Sequence, residues 1–365
     1  MTRARDLGIA IGTLTPGPTN SVLDVSGVGL GHATVHRDEP DPPQGRGIAR
    51  TGVSVLLVAE DSYTRPLCAG GAVLNGAGEC TGFLTAREWG TLETPIYLTS
   101  TMQLGRVYDA ACQIAYEQNA AVADDVVIPV VGECDDSFLN DCRRMQVTDA
   151  DVRAAYAAAL DSRGTAVPPK QGAVGAGTGM TCFEFKGGIG TSSRVTVSGH
   201  TVAVLLLTNF GERKRLTIDG VPVGRHLPVS TDTDTDGLAS LPAPAGSCIG
   251  VVVTDAPVDG ADCARLARRI GLGLARTGST AHHGSGEIFL AVSTTARTDR
   301  DGKPSGERIG GRALDELFEA VVDTAEESCL DSMLTAPTTA GRAGNTSPGL
   351  DPEQVRSLFQ EHGRG

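Results

Sequence analysis

Residues 246–253 read GSCIGVVV and join a polar, proline-rich segment to a continuous apolar run. An apolar run of this length, bounded by glycine and polar residues, predicts a strand that is buried on both faces. The preceding residues 227–246, LPVSTDTDTDGLASLPAPAG, show no hydrophobic periodicity. We therefore expect an exposed linker over residues 227–246, which ends where a buried strand begins near Ser247.

Apolar runs and helical patterns alternate along the rest of the chain. The other predicted strands cover residues 53–58, 126–131, 195–197, 201–208 and 288–295. The predicted helices cover residues 148–160, 262–276 and 313–334, and a last short helix begins at Asp351-Pro352. Thr148 and Asp151 form a capping-box pattern, and Gly278 follows the second helix. Buried strands between helices predict a layered α/β architecture in a single domain, residues 1–365.

The composition is that of an ordinary globular protein, with 40% hydrophobic and 21% charged residues among 365. A formal net charge of -13 makes nucleic acid an unsuitable partner, because phosphate binding needs a basic surface. No run reaches the roughly 18 apolar residues that a membrane span needs, and no signal peptide is recognised. Nine cysteines without C-x-x-C spacing indicate reduced, buried thiols and a cytoplasmic location.

Several patterns suggest sites but lack a necessary part. A calcium loop is suggested by three alternating aspartates, Asp232, Asp234 and Asp236. Its twelfth position is Ala243, where a bidentate glutamate is required. Residues 175–179, GAGTG, can cradle a phosphate but are better explained as a tight turn. His282-His283 has no metal-ligand spacing and is predicted to lie on a surface loop, and no G-x-S-x-G elbow occurs.

Ser247 is the most informative candidate for a catalytic residue. Its hydroxyl can attack the preceding carbonyl and move the acyl group from nitrogen to oxygen, and hydrolysis then frees the Ser247 amine. That amine can serve as the base for the hydroxyl of the same residue. Gly246 minimises steric hindrance at the peptide bond that is attacked. Considered alone, however, a Gly-Ser pair before a strand is common and indicates little.

Two further segments carry side chains suited to the same chemistry. Ser285 and Glu287 are two residues apart and project to one side of an extended chain, so the carboxylate can orient the hydroxyl. Asn209 follows the apolar run 201–208 and can donate its amide to an oxyanion. Considered alone, each segment is more simply explained as a polar turn.

A set of longer motifs occurs in one order along nearly the whole chain. The motifs are residues 3–12, 15–20 (TPGPTN), 24–28, 31–32, 74–79 (LNGAGE), 92–96 (LETPI), 99–101, 175–180, 186–191 (KGGIGT), 207–211 (LTNFG) and 254–257 (TDAP). In these motifs the chain resembles the L-aminopeptidase/D-esterase and β-aminopeptidase family of self-processing serine hydrolases. The resemblance implies a four-layer αββα sandwich, similar to amino-terminal-nucleophile hydrolases but different in chain connectivity. It implies no metal and no organic cofactor.

The resemblance also implies how the chain is processed and what it acts on. Cleavage after Gly246 would produce fragments 1–246 and 247–365, with 227–246 as the linker. The substrates would be small peptides, amides or esters with a free amine, which lose their amino-terminal residue through an acyl-enzyme on Ser247. Members of the family are multimers of the cleaved pair, commonly four pairs.

The same resemblance assigns roles to individual residues. Ser247 would be the nucleophile, Ser285 and Glu287 its supporting relay, and Asn209 a contributor to the oxyanion site. Glu133, in VVGE at residues 130–133, would help to hold the amino group of the substrate.

The stretch after Glu133 departs from the family pattern. Residues 134–141 read CDDSFLND and lack the tyrosine that members often have there, which puts its usual contribution to substrate binding or oxyanion stabilisation in doubt. Asp135 and Asp136 in this stretch would favour a cationic substrate amine or would simply lie on the loop surface.

Two alternatives to the aminopeptidase remain. The first is an acyltransferase similar to ornithine acetyltransferases, although those proteins use a threonine nucleophile. The second is an inactive relative that binds a ligand or serves in assembly, which the altered loop supports. The presence of Ser247 together with Ser285, Glu287 and Asn209 favours the enzyme.

Overall fold

The computed structural model describes residues 2–227 and 246–363. The helices are α1 (Phe83–Glu88), α2 (Leu104–Gln118), α3 (Asp149–Asp161), α4 (Gly260–Arg276), α5 (Asp315–Leu334) and α6 (Pro352–Glu361). The first strands are β1 (Gly29–Asp38), β2 (Ile48–Leu57), β3 (Leu67–Gly76), β4 (Thr91–Leu92), β5 (Ile96–Ser100), β6 (Val130–Cys134), β7 (Thr181–Cys182) and β8 (Phe185–Lys186). The later strands are β9 (Gly188–Val195), β10 (Thr201–Asn209), β11 (Ser247–Thr254), β12 (Gly286–Thr298), β13 (Pro304–Ser305), β14 (Thr339–Ala340) and β15 (Thr346–Ser347).

Most of these strands form two sheets. The larger sheet has the order β4-β3-β12-β11-β10-β9, with β13 beside β12, and the smaller sheet has the order β1-β2-β5-β6. Neighbouring strands are antiparallel except for β11 with β12 and β5 with β6. Parallel neighbours require a crossover, which α4 provides for the first pair and α2 for the second.

Three apolar layers hold the sheets and helices together as an αββα sandwich. Between the larger sheet and helices α4 and α5 lie Val252, Phe289, Leu266, Ile270 and Leu330. Between the two sheets lie Leu205, Leu207, Ile249, Val251, Leu98 and Val130. Between the smaller sheet and helices α2 and α3 lie Val53, Val55, Val107 and Ala155. Successive residues of β11 thus enter opposite layers, which explains its continuous apolar sequence and confirms the predicted four-layer fold.

The predicted strands agree with the structure where the apolar run is long. Residues 201–208 lie within β10 and residues 288–295 within β12. The prediction for residues 126–131 is mostly wrong, because the strand begins only at Val130, and Val126 is 72% exposed. The prediction for 195–197 is also wrong beyond its first residue. Val197 is 91% exposed and lies in a turn. Gly199 in this turn has a φ of +88°, a conformation that glycine adopts readily.

The predicted helices are confirmed, with small differences at their ends. Thr148 and Asp151 form the capping box of α3. The Asp259 side chain caps α4, which begins at Gly260, two residues before the predicted start, and Asp351 caps α6. A short 3-10 turn at Gly311–Leu314 precedes α5, which therefore begins at Asp315 rather than at residue 313.

The remaining expectations concern loops and cysteines. Residues 175–179 form a buried 3-10 turn, as the tight-turn interpretation predicts, and His282 and His283 are exposed. All nine cysteines lie in the described residues and form no disulfide there. Of the predicted linker, residues 228–245 lie outside the described residues, and so do the aspartates of the calcium-like pattern and Ala243. In the described part of the chain, no helix combines the length and the apolar character that crossing a membrane requires.

Candidate active site

Polar groups come together where three neighbouring strands of the larger sheet begin or end. Ser247 begins β11, and it pairs with Asn209 at the end of β10 and with Gly286 at the start of β12. Directly opposed residues of antiparallel strands place their side chains on the same face, with Cβ atoms about 4.5–5.5 Å apart. The Asn209 amide and the Ser247 hydroxyl are therefore neighbours, although 38 positions of sequence separate them.

The peptide group before Ser247 is fixed by β12. The carbonyl oxygen of Gly246 accepts a hydrogen bond from the backbone N–H of Gly286, at 3.1 Å. A Cβ on Gly246 would lie 3.0 Å from the Phe210 Cα and 3.2 Å from the Asn209 carbonyl oxygen, so a larger residue would need its neighbours to shift. Close packing against the end of β10 thus favours glycine here.

The side chain of Ser247 lies near a thiol from the smaller sheet. This is the thiol of Cys134, the last residue of β6, which donates to the Leu207 carbonyl at 3.6 Å. Burial raises the pKa of Cys134 far above its ordinary value, so the thiol stays neutral. A neutral thiol beside the serine does not compete with its hydroxyl as a nucleophile.

Ser285 and Glu287 contact each other, as their spacing predicts. The Ser285 hydroxyl donates to Oε1 of Glu287, and both side chains are buried. Oε2 of Glu287 is also buried and has no hydrogen-bond partner among the other residues that the structure describes. Burial raises the pKa of Glu287, and the bond from Ser285 opposes this rise. A carboxyl group in this state can take or return a proton more readily than an ion-paired one.

Asn209 is held at both ends of its side-chain amide. Its Oδ1 accepts from the backbone N–H of Thr181 at 2.9 Å, and its Nδ2 donates to the Asp135 carbonyl at 2.8 Å. An amide nitrogen carries two N–H groups, so one of them is left for a further acceptor. The loop after Glu133 therefore contributes to fixing the Asn209 amide, whose oxyanion role stays a prediction.

Glu133 lies next to these residues at the end of β6. Its Oε1 accepts from the backbone N–H of Glu79 at 2.8 Å, and its Oε2 accepts from the Thr101 hydroxyl. A Cβ on Gly78 would be 3.2 Å from Oε1 of Glu133 and 3.6 Å from the Cα of Gly286, so Gly78 lies close to both the carboxylate and the start of β12. Burial raises the pKa of Glu133, although the bonds from Thr101 and Glu79 oppose the rise.

The two acids after Glu133 have structural partners. Asp135 accepts from the backbone and the hydroxyl of Ser137. Asp136 is buried, so its alternative placement on the loop surface is wrong, and its Oδ1 accepts from Asn140 at 3.0 Å. Burial raises the pKa of Asp136 to about 7. Ligand atoms of Asp135, Asp136 and Cys142 lie within 4.8 Å of one another, and the Cys142 thiol donates to Oδ1 of Asp136 at 3.6 Å, while Oδ2 of Asp136 has no hydrogen-bond partner among the described residues.

The structure adds two residues to which the sequence assigned no role. Cys134 touches Ser247, and Thr101 donates to Glu133. The second contact depends on the parallel register of β5 and β6, in which Thr99 pairs with Glu133 and the chain then turns at Thr101. In the sequence, the role of Thr101 could have been suggested by the apolar run that ends in three hydroxyl residues, TST at 99–101.

The sandwich with a serine at the head of a central strand defines the class of amino-terminal-nucleophile hydrolases. The chain belongs to peptidase family S58, whose sequence model matches residues 20–347. It is 34% identical to the β-peptidyl aminopeptidase BapA of Sphingosinicella microcystinivorans, over 99% of this chain and 93% of that protein. The protein is accordingly a hydrolase, a serine aminopeptidase of the amino-terminal-nucleophile type.

Solved structures show the same relationship. The L-aminopeptidase D-Ala-esterase/amidase of Ochrobactrum anthropi, described as a variant of the Ntn hydrolase fold, is 34% identical with a TM-score of 0.88, over 100% of this chain and 99% of that chain. A β-aminopeptidase of Burkholderia sp. is 35% identical with a TM-score of 0.84, over 99% of each chain.

Proposed function

We propose that Ser247 is the nucleophile of this aminopeptidase and that the precursor cleaves itself after Gly246. The observation that carries the proposal is the geometry of one peptide group. The Gly246 carbonyl accepts from the Gly286 N–H. Ser247, whose nitrogen belongs to the same peptide group, lies at the start of β11 beside Asn209. A carbonyl with a fixed donor and a hydroxyl on the following residue are the two parts that an acyl shift needs.

The processing reaction follows from these groups. The Ser247 hydroxyl attacks the Gly246 carbonyl carbon, the C–N bond breaks, and the hydroxyl proton moves to the departing Ser247 nitrogen. The N–H of Gly286 stabilises the negative oxygen that forms at the Gly246 carbonyl. Water then hydrolyses the resulting ester and leaves a carboxylate on Gly246 and a free amine on Ser247. The products are fragments 1–246 and 247–365.

The mature site would use the same groups on a substrate. The free amine of Ser247 accepts the proton of the hydroxyl as it attacks the substrate carbonyl, and the Ser285–Glu287 pair supports this transfer. Asn209 donates to the oxyanion with its remaining N–H. The leaving amine departs with a proton, and water then releases the acyl group from Ser247.

Glu133 supports the choice of substrates with a free amino terminus. Gly78 lies close to both the Glu133 carboxylate and the start of β12, so an ammonium group bound beside Glu133 would direct the adjacent carbonyl towards Ser247. Small peptides, amides and esters fit this arrangement. Because the related BapA is a β-peptidyl aminopeptidase, derivatives of β-amino acids are the first substrates to test, followed by L- and D-amino acid amides.

The test compares Ser247→Ala with a matched variant, Ser198→Ala, in which an exposed turn serine is changed. We expect the wild type and Ser198→Ala to show two masses that meet between residues 246 and 247, together with aminopeptidase activity. Ser247→Ala should show one intact mass and no activity. Wild-type activity in Ser247→Ala would overturn the proposal, and an intact, inactive wild type would favour the ligand-binding or assembly alternative. Membership of a peptidase family already favours hydrolysis over acyl transfer.

We further propose that cleaved pairs assemble into a homo-oligomer, commonly of four pairs, in the cytoplasm. The implied family pattern supports the assembly, and the nine free cysteines support a reducing compartment. Light scattering of the processed protein tests the assembly directly, since a mass equal to one cleaved pair would contradict it.

A further inference from the structure

Lys186 is a buried cation that the proposed reaction does not yet use. It is fully buried at the end of β8, and its Nζ donates to three backbone carbonyls: Gly177 at 2.9 Å, Met180 at 2.6 Å and Gly187 at 2.8 Å. It forms no salt bridge with any residue in the described ranges 2–227 and 246–363. Burial lowers the pKa of Lys186 to about 7, and the nearby Cys182 and Asp136 oppose the fall. The three carbonyl acceptors match the three N–H groups of the charged ammonium form.

One of these carbonyls belongs to a peptide group that also contacts the candidate active site. The Met180 carbonyl accepts from Lys186, and the N–H of the same peptide, on Thr181, donates to Oδ1 of Asn209 at 2.9 Å. Thr181 and Lys186 are paired residues of β7 and β8, so the lysine lies across the strand from the peptide that it binds. A cation on the carbonyl polarises the peptide and strengthens its N–H as a donor.

The strengthened donor determines how the Asn209 side chain is oriented. With Oδ1 bound to the Thr181 N–H, Nδ2 must point the other way, where it donates to the Asp135 carbonyl. The remaining N–H of Nδ2 is then held on the face that Asn209 shares with its strand partner Ser247. A flipped amide would instead present Oδ1, which cannot stabilise an oxyanion.

We propose that Lys186 is a positioning residue, which fixes the oxyanion-donating orientation of Asn209 through the Met180–Thr181 peptide. This inference rests on the proposed role of Asn209. The Lys186 ammonium group binds three carbonyls, and one of them belongs to the peptide whose N–H reaches Asn209.

A double-mutant cycle tests the inference, with Lys186→Met and Asn209→Ala made singly and together. We expect Asn209→Ala to lower kcat by about 10²–10³-fold, as the loss of one oxyanion donor does. Lys186→Met should lower kcat roughly tenfold with KM nearly unchanged, and it should have no further effect in the Asn209→Ala background. Ser347→Ala is the matched control, because it removes the hydroxyl that Thr181 contacts at 3.1 Å without touching the peptide.

Lys186→Gln is a second variant that keeps the inference testable if Lys186→Met fails to fold. The glutamine amide keeps two donors for the carbonyls, so kcat should recover partly relative to Lys186→Met. If the effects of Lys186→Met and Asn209→Ala on kcat multiply, Lys186 does not act through Asn209, and the inference is wrong while the role of Asn209 stands. If Asn209→Ala keeps wild-type kcat, the proposed oxyanion role itself fails. If Lys186→Gln shows wild-type kcat, the ammonium charge is unnecessary, which also overturns the inference.

Discussion

Two buried glutamates of this protein, Glu327 on α5 and Glu287 on β12, have opposite surroundings. Glu327 accepts from Arg5 at 3.0 Å and Asn20 at 2.6 Å on one oxygen, and from Arg194 at 2.5 Å on the other. Glu287 receives only the Ser285 hydroxyl on Oε1, and its Oε2 has no partner among the other described residues. Both side chains are inaccessible to solvent.

The difference separates a carboxylate that holds the fold from one that is available for chemistry. A buried acid whose two oxygens are both engaged by cations and an amide holds its neighbours in place. A buried acid with one free oxygen keeps a raised pKa and can exchange a proton. Arg5 and Arg194 precede residue 247, whereas Glu327 follows it. The network around Glu327 would therefore also join the two proposed fragments after cleavage.

The largest effect should follow from Glu327→Gln. Arg194 would be left as a fully buried cation without a carboxylate, and removing one partner of a buried ion pair costs about 3–5 kcal/mol. We expect the free energy of unfolding in urea to fall by that amount, measured against Glu319→Gln, a change at an exposed position on the same helix. Equal stabilities of the two variants would show that the network does not hold the fold.

Glu287→Gln should have the reverse profile. Loss of the proton-accepting carboxylate should lower kcat by about 10²-fold, equivalent to about 2.7 kcal/mol, while stability stays constant or rises because a poorly paired buried acid is removed. Kinetics and thermal unfolding of one preparation measure both quantities. A protein that is destabilised like Glu327→Gln but keeps its kcat would reverse the assignment of the two glutamates.

Local sequence patterns predicted those parts of the molecule in which one segment determines its own surroundings. The apolar run of β11 enters two apolar layers, so burial on both faces could be inferred from the run alone. The contact between Ser285 and Glu287 follows from a separation of two residues in an extended chain. In both cases no distant partner was needed to reach the prediction.

Patterns failed where distant segments determine burial. Apart from its last residue, the strand β9, GIGTSSRV, was not predicted, because its small and polar residues are buried by distant segments, among them α5 and the 175–179 turn. Arg194 in this strand is buried by Glu327, which lies 133 positions away. For the same reason the contact of Cys134 with Ser247 depends on how β6 packs over β11, which no local pattern encodes.

Arg5→Gln should give the smallest effect on stability. It tests how much a single member contributes to the network around Glu327. The Arg5 side chain is 30% exposed, and Asn20 and Arg194 still engage both oxygens of Glu327 when it is removed. A pair near the surface contributes only about 0.2–1 kcal/mol, so unfolding in urea should show a loss within that range, and added salt should reduce it. A loss as large as that of Glu327→Gln would mean that the network behaves as one unit in which no member is dispensable. A small loss would locate its stabilising energy in the fully buried pair of Arg194 and Glu327.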